Sequence, residues 1–164
     1  MFIISGAMRR YLRICFLFVF IGFLSGCAGI YPPANVKPIE RVMLVTGYCK
    51  CGKCCGWRRT WYGKPVYASG SNMGKPKAIG ITASGAPAGH GTIAADRAKY
   101  PFGTIMYVEG YGYGRVEDTG GDIKGDHIDL YFSSHSAAMR WGKKNMAVRI
   151  WMEGRKTATS VPTS

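Results

Sequence analysis

The feature that most limits how this chain can fold is a set of short runs with the two-residue period of β-strands, separated by glycine. Ile128, Leu130 and Phe132 alternate with Asp129 and Tyr131, and Val148 and Ile150 alternate with Ala147, Arg149 and Trp151. Val42-Met43-Leu44-Val45, Thr104 to Val108 and the shorter Tyr113-Gly114-Arg115-Val116 add further apolar, β-branched or aromatic runs. Such residues suit a pleated surface, and alternation assigns one face of each strand to a core. Glycine occurs 23 times and punctuates nearly every gap, as tight turns between strands require. One helix is expected, capped by Ser134, running from His135 to Trp141 and stopped at Gly142. Several short strands with one short helix predict a mainly β domain, a small barrel or sandwich. Residues 56–80 are rich in Gly, Lys and aromatics without a period, and read as a long surface excursion.

The ends read differently. Arg9, Arg10 and Arg13 precede an apolar run from Ile14 to Leu24. That run fits the core of a signal peptide and falls short of the roughly 20 residues that span a bilayer as a helix. Leu24-Ser25-Gly26-Cys27 follows, and resembles the lipobox of bacterial lipoproteins, in which the cysteine is acylated after cleavage. The expected organisation is a signal peptide over 1–26, lipidation at Cys27, a proline-rich linker over 27–40, a folded domain over 41–153 and a flexible polar tail over 154–164. Ala28 after the cysteine favours the outer membrane, facing the periplasm, with acyl chains as the anchor. The formal net charge of +13 favours anionic partners. Export and the lack of any nucleic-acid motif argue against nucleic acid and leave anionic lipid or an acidic wall polymer.

Seven of the nine acids lie between Asp96 and Asp129. Asp122 and Asp126 stand beside Gly121 and Gly125, where Asp caps turns. Asp129 instead sits inside an alternating strand and shares a face with Tyr131. A carboxyl beside an aromatic suits a sugar groove, and equally suits a solvated strand face.

Five blocks in order carry a resemblance: Thr82-Ala83-Ser84-Gly85; Gly91-Thr92-Ile93-Ala94-Ala95-Asp96; Pro101-Phe102-Gly103-Thr104; Val116-Glu117-Asp118-Thr119-Gly120-Gly121-Asp122-Ile123-Lys124-Gly125; and Ile128-Asp129-Leu130-Tyr131-Phe132. Together they resemble the 3D domain, named for three aspartates, which is the catalytic module of membrane-bound lytic transglycosylase A and of minimal wall-remodelling proteins. The resemblance implies a six-stranded double-psi β-barrel. It also implies cleavage of the MurNAc–GlcNAc bond of peptidoglycan with formation of a 1,6-anhydro end. By the same resemblance Asp129 is the general acid and base, Asp118 its neighbour, and Asp96 an organiser of loops. Lys124, Thr82 and Tyr131 are candidates for contacting glycan, with Tyr48 a further groove-lining candidate. No cofactor is required for that reaction. The chain lacks the large second domain of membrane-bound lytic transglycosylase A, so a wall-binding module without catalysis is the competing expectation. Asp118-Thr119-Gly120 also spells the aspartic-protease triplet, but that chemistry needs two such loops.

Four of the six cysteines, Cys49, Cys51, Cys54 and Cys55, fall in one short stretch. In an exported protein an even count suggests two disulfides. Four close thiolates could instead wrap a structural zinc, with Cys49, Cys51, Cys54 and Cys55 as its ligands. Both readings assign the cluster a structural role, and an envelope sensor built on the cysteines is a third.

Overall fold

The structure is a computed structural model that describes residues 29–152. The expected signal peptide, the lipidation site at Cys27 and the polar tail lie outside the described residues.

Six strands close into a barrel. They are β1 (Ile39–Tyr48), β4 (Thr92–Ala95), β5 (Ile105–Val108), β6 (Gly112–Asp118), β7 (His127–Tyr131) and β8 (Lys144–Trp151), in the order β1-β7-β4-β6-β5-β8. β2 (Trp57–Arg59) and β3 (Pro65–Tyr67) form a separate hairpin, and the helices are α1 (Gly52–Cys55) and α2 (His135–Trp141). The mainly β, six-stranded expectation is met. The barrel is not an up-and-down meander, because β1 runs parallel to β7 and β4 parallel to β6. Parallel neighbours cannot be joined by a tight hairpin, so the chain crosses over the barrel between them.

Period two decides what fills the barrel. Met43 and Val45 from β1, Ile93 from β4, Met106 and Val108 from β5, Val116 from β6, Ile128 and Leu130 from β7, and Val148 and Ile150 from β8 meet in one buried cluster. Each is at most 1% exposed. Full burial of such side chains is worth about 1.5–3 kcal/mol apiece, which makes this cluster the main source of the barrel's stability. Phe132, expected on the same face, lies past the end of β7. It is only partly buried and packs at the mouth of the barrel on Trp141 of α2, with ring centroids 5.8 Å apart. Ser134 caps α2 as expected, accepting from the Ala137 amide at 3.2 Å, and Gly142 ends it.

Four elements were not anticipated. β4 gives no strand signal in the sequence, since Thr92–Ala95 is buried along its whole length and shows no alternation. α1 is a single turn inside the cysteine cluster, ended by Gly56 at φ 58°. The excursion over 56–80 contains β2 and β3, which pair from Trp57 opposite Tyr67 to Arg59 opposite Pro65.

Candidate functional site

The site is built on one outer face of the barrel by four adjacent strands. Asp129 on β7 pairs with Ala94 on β4 on one side and with Thr46 on β1 on the other. Ala94 in turn pairs with Asp118 on β6. Residues directly opposite in a sheet point to the same face, so Asp118, Ala94, Asp129 and Thr46 form a row. Ala94 carries only a methyl, and the two acids stand on either side of it.

A β-bulge makes this row. The pairing of β4 with β6 steps from Ile93 opposite Val116 to Ala94 opposite Asp118, leaving Glu117 as the extra residue. Strict alternation would have put Asp118 on the inward side with Val116. The bulge turns it outward instead.

The two acids meet different surroundings. Asp118 Oδ1 accepts from the amides of Ala83 at 3.0 Å and Thr119 at 2.9 Å, and its Oδ2 accepts from the Tyr48 hydroxyl at 2.8 Å. Asp129 Oδ1 accepts from the Thr46 hydroxyl at 2.8 Å. The Thr46 hydroxyl also lies 3.0 Å from His127 Nε2 and 3.4 Å from the Ile128 carbonyl. Burial raises the Asp129 carboxyl above the ordinary range and the charge of Asp118 adds to the rise; the Thr46 bond and His127 oppose it without cancelling it. Burial, reinforced by Asp118, likewise pushes the Tyr48 hydroxyl far above its usual value, so it stays a donor.

Beside the row opens a cleft of about 330 Å³. Ala94, Asp118, Tyr48 and Tyr131 form part of its lining, and Lys50, Lys77 and Trp57 rise from the cysteine loop and the 56–80 excursion. Asp129 is not among the lining residues; it stands one strand beyond Ala94. Tyr131 lines the cleft, but its ring is 5% exposed and packs edge-on against Tyr48 at 5.5 Å. It forms the floor rather than an open stacking platform.

The other expected site residues lie elsewhere. Asp96 accepts from the amides of Gly125 at 2.9 Å and Ala98 at 3.1 Å, and these bonds hold its carboxyl below the usual range. It ties the turn after β4 to the loop before β7, as a loop organiser would. Thr82 is buried and donates to the Ala86 carbonyl at 3.0 Å inside a turn. Lys124 is exposed near Asp96. Neither Thr82 nor Lys124 lines the cleft.

The cysteines divide unevenly. Cys49, Cys51, Cys54 and His135 bring one ligand atom each to within 4.8 Å of one another, a group able to hold a metal ion. Cys55 is not part of that group; it donates to the Cys49 carbonyl at 3.2 Å and lines the cleft. Burial pushes its thiol up to about 11. The expected four-cysteine ligand set is therefore corrected, with His135 in place of Cys55. All four cysteines are free thiols here.

Thr46, His127, Trp57, Lys50, Lys77 and His135 were not singled out for these positions by sequence. Only His135 left a usable signal, since histidine is the common partner of cysteine at zinc and the chain has only three.

The chain resembles known proteins over its C-terminal part. Residues 91–152 match the 3D domain family. Two Bacillus subtilis (strain 168) proteins are 47% identical over 58 residues: the "Putative cell wall shaping protein YabE" and the "Cell wall-binding protein YocH". Each match covers 35% of this chain but only 14% and 20% of the respective relative, so most of either relative has no counterpart in the alignment. Among solved structures, MltA from Escherichia coli aligns at 27% identity over 46% of this chain and 29% of that chain, with a TM-score of 0.37. MltA with bound chitohexaose aligns at 28% identity with a TM-score of 0.38, over 46% and 29%. The match begins at Gly91, so β1 and the cysteine loop lie outside it while β4 to β8 lie within it. Residues 91–152, the stretch similar to the 3D domain family, supply five of the six barrel strands.

Proposed function

We propose that this protein is a peptidoglycan lytic transglycosylase of the cell envelope, with Asp129 as its single general acid and base. The observation that carries the reading is the row Asp118–Ala94–Asp129 beside a cleft, with burial raising the proton affinity of Asp129. A general acid for glycoside cleavage must carry a proton when it acts, and burial and a second acid both push the Asp129 carboxyl in that direction. The 3D domain and the wall-related names of the Bacillus subtilis relatives support glycan as the substrate class.

The reaction needs no water. The Asp129 carboxyl gives its proton to the glycosidic oxygen as the bond from that oxygen to C1 breaks. The C6 hydroxyl oxygen of the same sugar closes on C1, and its proton returns to Asp129. Asp118, fixed by three donors, raises the proton affinity of Asp129 and remains in place throughout. Trp57 offers an indole face at the cleft, while Lys50 and Lys77 suit the carboxylates of peptide-substituted strands. Asp96 and Thr82 bond to loop backbone, and the exposed Lys124 remains a candidate for contacting glycan. Anchoring to the outer membrane through Cys27 is part of this proposal.

A second reading is wall binding without cleavage. It is favoured by the Thr46 bond that engages Asp129 and by the absence of Asp129 from the cleft lining. One experiment separates the two. Purified full-length protein is incubated with sacculi, and released muropeptides are analysed by mass spectrometry. The first reading expects 1,6-anhydro ends, falling by at least ~10²-fold in Asp129→Asn. Binding to sacculi with no anhydro product from the unmodified protein would leave only the second.

A further inference from the structure

We propose that Cys49, Cys51, Cys54 and His135 form a closed structural zinc site that clips the end of β1 to the start of α2. The site goes beyond the glycan reading and does not depend on it.

Three of the six edges among the four ligand atoms are close to those of a tetrahedral zinc centre. With Zn–S near 2.3 Å and Zn–N near 2.0–2.1 Å, tetrahedral coordination sets S···S edges of about 3.8 Å and S···N edges of about 3.6 Å. Cys49 Sγ and Cys54 Sγ are 3.8 Å apart. His135 Nδ1 lies 3.6 Å from Cys51 Sγ and 3.3 Å from Cys54 Sγ. A donor set of three sulfurs and one imidazole, packed this closely, suits zinc and leaves no position open for substrate.

The local structure explains why these side chains converge. Cys49 directly follows β1 and is buried. Cys51 caps α1, and the turn between Cys51 and Cys54 closes through the Cys55 amide to the Cys51 carbonyl at 2.9 Å. That turn aims two sulfurs to one side. His135 opens α2, which packs on β1, and so arrives from a segment more than eighty residues away in sequence. Binding releases three thiol protons and leaves the centre with one net negative charge, which the neighbouring Lys50 and Lys53 offset.

The consequence is mechanical. Tyr48, the residue before Cys49, holds Asp118, and Lys50 and Trp57 line the cleft from the same loop. A metal at this point would set the cleft wall on the barrel without touching the acids. Cys55 stays outside as a cleft thiol.

The test uses the full chain purified under reducing conditions, with zinc alone and cobalt(II) alone as probes. About one zinc per chain is expected in the unmodified protein and in Cys55→Ser. Cys51→Ser and His135→Ala should lose most of it, and His135→Cys should keep it. The cobalt form should show tetrahedral d–d bands with thiolate charge transfer, shifting toward a four-sulfur spectrum in His135→Cys. Cys49→Ser risks unfolding the end of β1, so the cobalt spectrum of the unmodified protein stands in for it. Loss of metal from Cys55→Ser equal to that from Cys51→Ser, zinc retained in full by His135→Ala, or no zinc bound by the unmodified protein would each overturn the proposal.

Discussion

Asp118 and Asp129 carry the same side chain on the same sheet face, and their partners make them different. Asp118 gathers two amides and a hydroxyl. Asp129 has the Thr46 hydroxyl and is mostly removed from water, so its proton is held more tightly. This has a consequence for stability with a definite sign. A carboxyl whose folded pKa lies above its unfolded value near 3.9 favours the fold fully at pH below that value, and the contribution is lost as pH rises through the folded pKa. Above the folded pKa the native protein therefore carries the cost of ionising a buried group. Asn has nearly the same shape and its amide oxygen can still accept from Thr46. Asp129→Asn should melt at or above the native Tm at pH 7, and that advantage should shrink as pH falls toward about 4. Thermal melts of both proteins at the two pH values read this directly, and a variant that melts lower at pH 7 would mean that Asp129 is held as a favourable ion.

Strand β6 does more than close the barrel. Its bulge against β4 sends Asp118 outward, and its N-terminal half approaches β4 so closely that a side chain at Gly114 has no room. A Cβ there would lie 2.6 Å from Ile93 Cδ1 and 2.8 Å from the Gly91 carbonyl. The Ile93 side chain could shift, but the backbone oxygen cannot without breaking its bond from the Arg115 amide, 2.7 Å long. Gly114→Ala should therefore cost about 1–3 kcal/mol, the range for overpacking a core. Denaturant unfolding measures it, and a midpoint unchanged from native would show that β4 and β6 can separate freely. The cost should also reach the site, since the same strand pair sets the distance from Asp118 to Ala94.

Taken as a molecule, the protein keeps its chemistry and its mass apart. The buried cluster of the barrel is built of hydrophobic side chains, and the cleft lies outside it, between the barrel and a wall made of the cysteine loop and the 56–80 excursion. That wall is basic, through Lys50 and Lys77, in a chain whose formal charge is +13. Exposed charges are screened within about 30 Å at 0.01 M salt and about 3 Å at 1 M. Co-sedimentation with sacculi should weaken steadily between those salt concentrations if charge draws the protein to an acidic wall polymer. Binding that ignores salt would point to sugar stacking and hydrogen bonds as the source of affinity. Several cations are held over aromatic rings, among them Lys77 of this wall on Tyr67 at 4.3 Å, Lys144 on Trp141 at 4.0 Å and Arg149 on Tyr107 at 4.3 Å. The net charge therefore overstates what is free to steer a partner.

Alternation makes most of the barrel legible in the sequence. Ile128 and Leu130 point inward because a strand has period two and a core excludes water, and both facts are local. The same holds for Val148 and Ile150, for the cap at Ser134 and for the stop at Gly142. The five motif blocks carried the rest of the family reading, including Asp118 and Asp129. β4 escaped because a strand buried on both faces has no alternation to see. The site escaped in part for a different reason, since its geometry is set by pairs distant in the chain. Nothing near Asp118 announces that a one-residue bulge turns it to Ala94, and Thr46 meets Asp129 only because β1 lies parallel to β7. His135 joins three cysteines because α2 packs back on β1, which brings residues more than eighty apart within bonding distance. Residue chemistry and short-range periodicity are written along the chain, whereas convergence of side chains depends on register, bulges and crossovers that exist only once the barrel has closed.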